Sequence, residues 1–179
     1  MTRVDPQRLV FIDESGANLA MGRSHAWVLP GEEHIEPRPM NWGTNLSLIG
    51  AVRLEGWVTL GTKWNAVNGR DFTAWVRDRL APRLRPGDIV LLDNLRAHKV
   101  PAVAALVAQR GATLKFPPPY SHDFNPIEPV WALVKKHIRA FAPRTATTLR
   151  QVARAARYVV DDHHCYQFFT KAGYATSSA

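Results

Sequence analysis

The sequence predicts a single α/β domain built on a mixed β-sheet, and three observations support this. Two short apolar runs, 9–12 and Ile89–Leu92, each stop at an aspartate and are typical of buried central strands. Between them, two β-rich segments flank Glu55-Gly56, a tight-turn signal that predicts a hairpin. Helical patterns then alternate with the remaining strands, an order that favours a mixed sheet covered by helices.

Local signals predict each of the elements. A helix is expected at 69–80, where apolar residues keep helical spacing behind the N-cap Asn68. A second helix spans about 99–110, with Pro101 in its first turn and Gly111 as its stop. The remaining expected elements are hairpin strands at 45–54 and 57–63, a short additional strand at 25–29, a strand at 112–116, a third helix opened by Asn125-Pro126, a helix at 147–160 and a shorter helical piece at 161–173.

Composition limits the number of domains and the compartment. A chain of 179 residues with 46% hydrophobic content can bury one sizeable core but is short for two. Cys165 is the only cysteine, which excludes an intrachain disulfide and a cysteine-based zinc cluster. No apolar stretch approaches the ~20 residues of a membrane-spanning helix, and the N-terminus lacks the apolar region of a signal peptide. We therefore expect a cytoplasmic protein that does not enter a membrane.

The chain is strongly basic, with 23 Lys and Arg against 15 Asp and Glu and a formal net charge of +8. This excess suits a polyanionic partner such as nucleic acid, although charge alone does not distinguish nucleic acid from an anionic membrane surface. Basic side chains fall on the solvent side of the third helix and in a stripe on the fourth: Lys135, Lys136 and Arg139, then Arg150, Arg154 and Arg157. They predict contacts with nucleic-acid phosphates, and the equally weighted alternative is an ordinary solvated helix face.

Two aspartates stand directly after the apolar runs of predicted buried strands. Asp13 follows the first run and Asp93 follows the second. Desolvating an ionised carboxylate costs several kcal/mol unless a cation or hydrogen bonds compensate. If the two strands are parallel neighbours, their carboxylates emerge side by side at one sheet edge and repel each other. Mg²⁺ or Mn²⁺ would relieve that repulsion, and a pair of such ions roughly 4 Å apart suits in-line phosphodiester chemistry.

Glu128, at the start of the third helix, is the predicted third ligand. It precedes Trp131 by one turn, on the flank of the core-facing stripe, so its side chain can point toward the same sheet edge. Each carboxylate also has a structural interpretation, as a strand-end turn for the aspartates and as a capping box with Asn125 for Glu128. Taken singly, these alternatives equal or outweigh the catalytic interpretation, but the three carboxylates together favour catalysis.

Three longer motifs surround these carboxylates. They read Phe11-Ile-Asp13-Glu-Ser15, Leu91-Leu-Asp93-Asn94-Leu-Arg-Ala-His98-Lys99 and Pro118-Pro-Tyr-Ser-His-Asp-Phe-Asn125-Pro-Ile-Glu128-Pro-Val-Trp131. In this order they resemble the motifs of the mariner-type transposases and their bacterial insertion-sequence relatives, which belong to the DDE superfamily of endonucleases. The 34 residues that separate Asp93 from Glu128 are similar to the family's interval between its second and third catalytic carboxylates. The resemblance covers about residues 9–141.

The resemblance implies a ribonuclease-H-like fold of the retroviral-integrase type. A five-stranded mixed sheet flanked by helices would occupy about 8–142, with a C-terminal helical extension at 146–173. It further implies that Asp13, Asp93 and Glu128 hold two Mg²⁺ or Mn²⁺ ions that cleave DNA at transposon ends and transfer the 3′-OH into target DNA. Polar residues of the motifs are expected around these ligands, namely Asn94, His98 and Asn125. For His98 a purely structural role is the stronger alternative.

The resemblance also implies partners. DNA is expected both as transposon ends and as target, and a homodimer is expected on DNA because transposition couples two ends. The helix-turn-helix region that reads transposon ends in such relatives is missing from residues 1–179, so a separately encoded helix-turn-helix subunit is an expected partner. The expected location is the bacterial cytosol, at the nucleoid when DNA is bound. Two alternatives remain: a ribonuclease-H-like nuclease without strand transfer, and a non-catalytic DNA-binding remnant of a transposase.

Overall fold

Five β-strands form one mixed sheet in the order β3-β2-β1-β4-β5. The computed structural model describes residues 4–23, 25, 27–33, 35–37, 43–92, 101–117 and 124–174. Strand β2 is antiparallel to β1 and β3, whereas β4 is parallel to β1 and β5. The sheet therefore confirms the predicted mixed architecture. The strand bounds are Leu9–Ala17 for β1, Leu46–Arg53 for β2, Gly56–Trp64 for β3, Ile89–Leu92 for β4 and Thr113–Lys115 for β5.

Strand β1 is longer than the sequence predicts, and Asp13 lies inside it. Its parallel pairing with β4 stops at the Ile12–Leu92 pair, but its antiparallel pairing with β2 continues to Ala17. The prediction that the strand stops at Asp13 is therefore wrong. The apolar run ends where β4 ends, whereas the hydrogen-bonded ladder continues because β2 still provides a partner.

The hairpin of β2 and β3 is confirmed, with its turn one residue earlier than predicted. Leu54 and Glu55 form the turn, and Gly56 begins β3 with a φ of 119°, a backbone conformation that glycine adopts without steric cost. The additional strand expected at 25–29 is not found in the described residues of that segment. Trp27, in the same segment, is fully exposed.

Five helices are described, and most begin at a side-chain cap. Asn68 and Asp71 form a capping box at the first, while Thr145 and Asp161 accept backbone N–H bonds at the last two. None of the described helices combines the length and apolar character needed to cross a bilayer. The helices are α1 Gly69–Trp75, continued by a π-helical turn Val76–Leu80, then α2 Pro101–Ala108, α3 Ile127–Phe141, α4 Ala146–Ala155 and α5 Asp162–Lys171.

The helices cover both faces of the sheet, with one apolar core on each side. Successive side chains of a strand point to opposite faces. Accordingly, Val10 and Ile12 of β1 belong to the core under α1 and α2, whereas Leu9 and Phe11 belong to the core under α3, α4 and α5. Asp13 continues the second set and faces α3. Glu14 continues the first set and lies on the opposite face, as the sequence alternation predicts.

A buried ion pair joins the hairpin to the start of β4. An Nη2 nitrogen of Arg53 lies 2.9 Å from Oδ2 of Asp88, and both side chains are almost fully buried. The same carboxylate oxygen accepts the backbone N–H of Arg85 at 2.8 Å. Because an unpaired buried charge is strongly destabilising, the pair and its extra hydrogen bond tie the start of β4 to the end of β2 across the intervening strand β1.

Candidate active site

Asp13 occupies the centre of the sheet, between the antiparallel hairpin and the parallel strands. Its backbone pairs with Gly50 of β2, and its side chain is half-buried on the face covered by α3. The preceding residue, Ile12, pairs with Leu92, the last residue of β4. Asp13 is therefore the first residue of β1 after its last pair with β4.

A tryptophan of α3 holds the Asp13 carboxylate. Nε1 of Trp131 donates a hydrogen bond to Oδ2 of Asp13 at 3.0 Å, across 118 residues of sequence. The indole itself is 3% exposed and packs in the core beneath the helices. A bond to a buried indole N–H restricts the carboxylate to one orientation, because the ring has no room to turn.

Gly50 makes the space in which this tryptophan lies. A Cβ atom built at Gly50 would stand 2.8 Å from a ring carbon of Trp131 and 2.6 Å from one of Trp57. The two indoles contact each other, with ring centroids 5.7 Å apart. A side chain at position 50 would therefore displace the ring that donates to Asp13.

Glu128 lies in the first turn of α3 and is exposed. It precedes Trp131 by three residues, and such neighbours on a helix have Cβ atoms about 5–6 Å apart. The helix that supplies the Asp13 hydrogen bond thus also carries the predicted third ligand, one turn closer to its N-terminus. Asn125 supports this helix start: its side chain accepts the Ile127 N–H at 3.4 Å and its carbonyl accepts that of Glu128 at 3.2 Å.

The remaining predicted ligand lies outside the described residues. This holds for Asp93 and for Asn94 and His98, which were expected near the ligands. Within the described ranges no three His, Cys, Asp or Glu side chains converge on a metal position. The complete triad therefore stays a prediction, with Asp13 and Glu128 placed on neighbouring elements of the fold.

The donor set fits hard divalent cations. Carboxylate oxygens are the ligands that Mg²⁺ and Mn²⁺ prefer. An ionised carboxylate has two oxygens with about four acceptor positions, so the bond from Trp131 to Asp13 is compatible with metal ligation by the same group. In protein metal sites, a second layer of residues usually orients each ligand through a hydrogen bond, and Trp131 is placed to do this for Asp13.

Four of the six predicted DNA-contacting residues are exposed, in two groups, and the other two are partly buried. Lys136 and Arg139 line a cavity of about 320 Å³ with Arg23 and His25, while the neighbouring Lys135 is half-buried. Arg154 and Arg157 are exposed on another surface, beside β3. Arg150 differs, because its guanidinium lies over the Trp64 ring at 5.4 Å from the centroid.

Trp131 and Gly50 are the site residues that the sequence reasoning missed. The helical spacing of Trp131 predicts only a core position, although a buried indole N–H usually has a hydrogen-bond partner. Gly50 lies inside a β-rich segment, where a glycine often marks the close approach of another group. Both signals were present in the sequence, but neither identifies the partner that the fold provides.

A mixed five-stranded sheet with helices on both faces and an acidic residue at its centre defines a ribonuclease-H-like domain. Residues 8–150 match the family described as DDE superfamily endonuclease. The match covers most of the chain, and the protein belongs to this family. Comparison with curated proteins gives no significant match.

Solved structures of the Mos1 mariner transposase share the fold. The Mos1 strand transfer complex is 20% identical with a TM-score of 0.71, and the alignment covers 93% of this chain and 52% of that one. The Mos1 paired end complex with Mn gives 20% identity, a TM-score of 0.67 and coverages of 93% and 52%. The Mos1 catalytic domain gives 16% identity, a TM-score of 0.62 and coverages of 93% and 77%. The chain thus spans about half the length of the Mos1 chains in these complexes.

Proposed function

We propose that this chain is the catalytic domain of a transposase that cleaves DNA at transposon ends and joins the 3′-OH to target DNA. The observation that carries the proposal is the environment of Asp13. A half-buried carboxylate stands beside the end of β4, is held at 3.0 Å by Trp131, and faces the helix that carries Glu128. Such a carboxylate has little structural use in a sheet centre, since ordinary core positions are apolar.

In this proposal Asp13, Asp93 and Glu128 hold two Mg²⁺ or Mn²⁺ ions. When bound, such ions activate a nucleophile and stabilise the leaving oxygen of an in-line phosphodiester displacement. The chain's own residues provide orientation. Trp131 fixes the Asp13 carboxylate, and the first turn of α3 presents Glu128 from the side of the helical layer. No covalent protein intermediate is required, because water and then the freed 3′-OH serve as nucleophiles.

The comparisons support the same proposal. The chain belongs to the DDE superfamily endonucleases, and the similar Mos1 structures are a strand transfer complex and paired end complexes with Mn or Mg. We propose DNA as the partner and a homodimer as the form that acts on it. A separately encoded helix-turn-helix subunit is proposed to recognise the transposon ends.

Nicking of supercoiled plasmid by the purified chain tests the proposal. We expect nicking with Mg²⁺ or Mn²⁺, none in EDTA, and a loss of at least about 10²-fold in Asp13→Asn and Glu128→Gln, because a metal ligand has no substitute in the site. Circular dichroism checks that these variants are folded. Metal-dependent nicking by either variant at the parent rate would contradict the assignment of that residue.

A second assay separates strand transfer from simple hydrolysis. A labelled duplex with a pre-cut 3′ end is incubated with plasmid, and the joined product is measured. Joining supports a transposase, whereas nicking without joining identifies a nuclease of the same fold. A non-catalytic remnant would bind DNA, retain that binding in Asp93→Asn, and show no nicking with either metal.

A further inference from the structure

A basic groove follows the outer edge of β3, away from the carboxylates. Strand β3 is the last in the sheet order, so among the described strands its outer edge has no partner. The groove has a volume of about 630 Å³ and lies between the α1 side and the α4 side of the sheet edge. Its charged residues come from distant parts of the chain, and we call it the edge groove: Lys63, Asp71, Arg79, Arg83, Arg154 and Arg157.

Four exposed arginines give the edge groove its charge. Arg79 and Arg83 stand on the α1 side, and Arg154 and Arg157 stand on the α4 side. No described carboxylate lies within ion-pair distance of any of the four. The single acidic residue of the groove, Asp71, is paired with Lys63 at 2.9 Å. The four guanidinium groups are therefore exposed cations without an ion-pair partner among the described residues.

Local structure places two of these arginines next to each other. Arg79 belongs to the π-helical turn Val76–Leu80, and Nη1 of Arg83 donates to its backbone carbonyl at 2.7 Å. Turns of the π type are rare and are found frequently at functional sites. The bond holds the Arg83 guanidinium at the groove, so part of the entropy of ordering this long side chain is already lost before a ligand binds.

We infer that the edge groove binds the sugar–phosphate backbone of duplex DNA. The inference rests on the proposed function for the nature of the ligand, and it adds a second contact surface remote from the cleavage site. Two strand spacings, roughly 10 Å, separate β3 from β1 and Asp13. Arginines on both sides of the strand can neutralise phosphates, and guanidinium groups suit phosphate oxygens through bidentate hydrogen bonds.

The aromatic side chains near the groove favour duplex DNA over a single strand. Single-strand binding uses exposed aromatic rings on which bases stack. Here Trp75 is 8% exposed and lies against Gly61, Trp57 packs on the Trp131 ring, and Trp64 is covered by the Arg150 guanidinium. These three rings pack against protein groups. Tyr158 is 80% exposed but does not line the groove, and the Arg157 guanidinium lies over its ring at 5.1 Å, so the described groove lining offers charge without a free stacking ring.

Two rival roles for the same residues make different predictions. An acidic extended peptide could add a strand to the open edge of β3, with its carboxylates beside the arginines. Alternatively, the charges could only protect an open sheet edge against aggregation. The first role requires peptide binding that exceeds DNA binding. The second requires a loss of solubility without any change in DNA affinity.

Salt-dependent DNA binding by the full chain tests the inference. Fluorescence anisotropy of a labelled non-specific duplex is measured in EDTA, so that cleavage does not interfere. Two groove variants, R79Q/R83Q and R154Q/R157Q, are compared with the control R110Q/K171Q. The control substitutions lie outside the groove lining but remove the same amount of charge. Each phosphate contact contributes about 0.9 to the slope of log K against log salt concentration.

We expect each groove variant to lower that slope by about 2 and to weaken binding on the order of tenfold at ~0.1 M salt. The control should change the slope by less than ~1. Equal slopes in the groove and control variants would overturn the inference, as would tighter binding of a glutamate-rich peptide than of the duplex. Tighter binding of a single strand than of the duplex would also overturn it.

This experiment is independent of the catalytic proposal. Duplex binding in EDTA does not need the carboxylates, so Asp13→Asn should keep the parent slope. If nicking fails but the salt-dependence slope of the groove variants falls as expected, only the catalytic proposal is wrong. If nicking requires Asp13 and Glu128 while the slopes are unchanged, only the edge groove is wrong.

Discussion

Trp131 contributes to the protein in two ways with one side chain. Its ring fills the core between β2 and α3, and its Nε1 donates to Asp13 at 3.0 Å. The site and the core are therefore coupled at the level of a single residue. A change in the packing of this ring therefore reaches the carboxylate directly, through one hydrogen bond.

Trp131→Phe should weaken divalent-metal binding while leaving the chain folded. Phenylalanine keeps an aromatic ring in the core but removes the N–H that orients the Asp13 carboxylate. Loss of such a supporting hydrogen bond typically lowers metal affinity by roughly 10–100-fold. Isothermal titration with Mn²⁺ measures the affinity independently of catalysis, and thermal unfolding reports the structural cost.

Trp57→Phe is the matched control for that variant. Its indole also packs against Trp131, but its Nε1 is buried without a hydrogen-bond partner among the described residues. Removing this N–H should leave Mn²⁺ affinity within about twofold of the parent, because no described bond to a carboxylate is lost. Equal losses of affinity in both variants would show that ring packing, and not the hydrogen bond, matters.

Gly50→Ala should destabilise the fold and disturb the site together. The added methyl group would meet the Trp131 and Trp57 rings at 2.8 and 2.6 Å, well inside normal contact distance. Overpacking of this kind costs about 1–3 kcal/mol, measured as the free energy of unfolding in urea. Gly16→Ala is the control, since its Cβ would meet only the end of the Asn45 side chain, at 3.1 Å. A neutral Gly50→Ala would contradict the close packing described here.

At the scale of elements, α3 connects the site to the C-terminal helices. Its first turn carries Glu128, its middle carries Trp131, and its last turns pack against α4. His137 lies at that helix contact, where burial lowers the pKa of its imidazole and the nearby Val152 backbone partly opposes the shift. Burial therefore favours the neutral form of the imidazole between the two helices.

Stability should fall with acidification below about pH 6.5, the ordinary pKa of histidine. Because the pKa of His137 is lower in the folded state, the unfolded chain takes up a proton first. The contribution of the neutral imidazole is complete above pH 6.5 and is lost as pH falls through the lower folded-state pKa. Urea unfolding of the parent and of His137→Gln at pH 7.5 and 5.5 measures this, and the variant should show the smaller pH dependence. Identical pH dependence would exclude His137 as a cause.

At the scale of the whole molecule, the sheet separates two cores that differ in what they support. Among the described residues, no predicted catalytic carboxylate faces the core under α1 and α2, whereas Asp13 faces the core under α3, α4 and α5. Cys165 is fully buried in that second core. Burial raises the pKa of its thiol to about 12, with smaller contributions from Asp161 and Asp162.

The Cys165 thiol should be inert in the native protein. A thiol that is inaccessible and protonated at pH 8 offers no thiolate to a disulfide reagent. We expect less than about 5% reaction under native conditions over the time in which the guanidinium-unfolded chain reacts completely. Absorbance after addition of Ellman's reagent measures both reactions. Rapid native labelling would show that the core under α5 opens without global unfolding.

Charge is also distributed over the whole molecule in a way that the sequence pattern shows only in part. The stripe of Arg150, Arg154 and Arg157 follows from helical spacing, but the structure turns Arg150 onto Trp64 and leaves the other two beside β3. Arg79 and Arg83 join them from more than seventy residues earlier in the chain. A surface of this kind is formed by tertiary contacts, because its residues share no local period.

The sequence by itself determined the five strands, the helices and the family of this protein. Strands and helices follow from local periodicity and from end signals such as Asn68, which act over a few residues. The family follows from the ordered motifs around Asp13, Asp93 and Glu128, because catalytic groups impose residue identity as well as hydrophobicity. These features need no knowledge of which distant residues meet.

Only the tertiary structure decided how far β1 extends, which side chain holds Asp13 and where the groove arginines gather. The length of β1 depends on its partner β2, and the bond from Trp131 depends on a cavity left by Gly50. Each of these is a contact between residues far apart in the chain. The physical reason is that such contacts arise from packing at close distance, which a one-dimensional pattern of polarity does not encode.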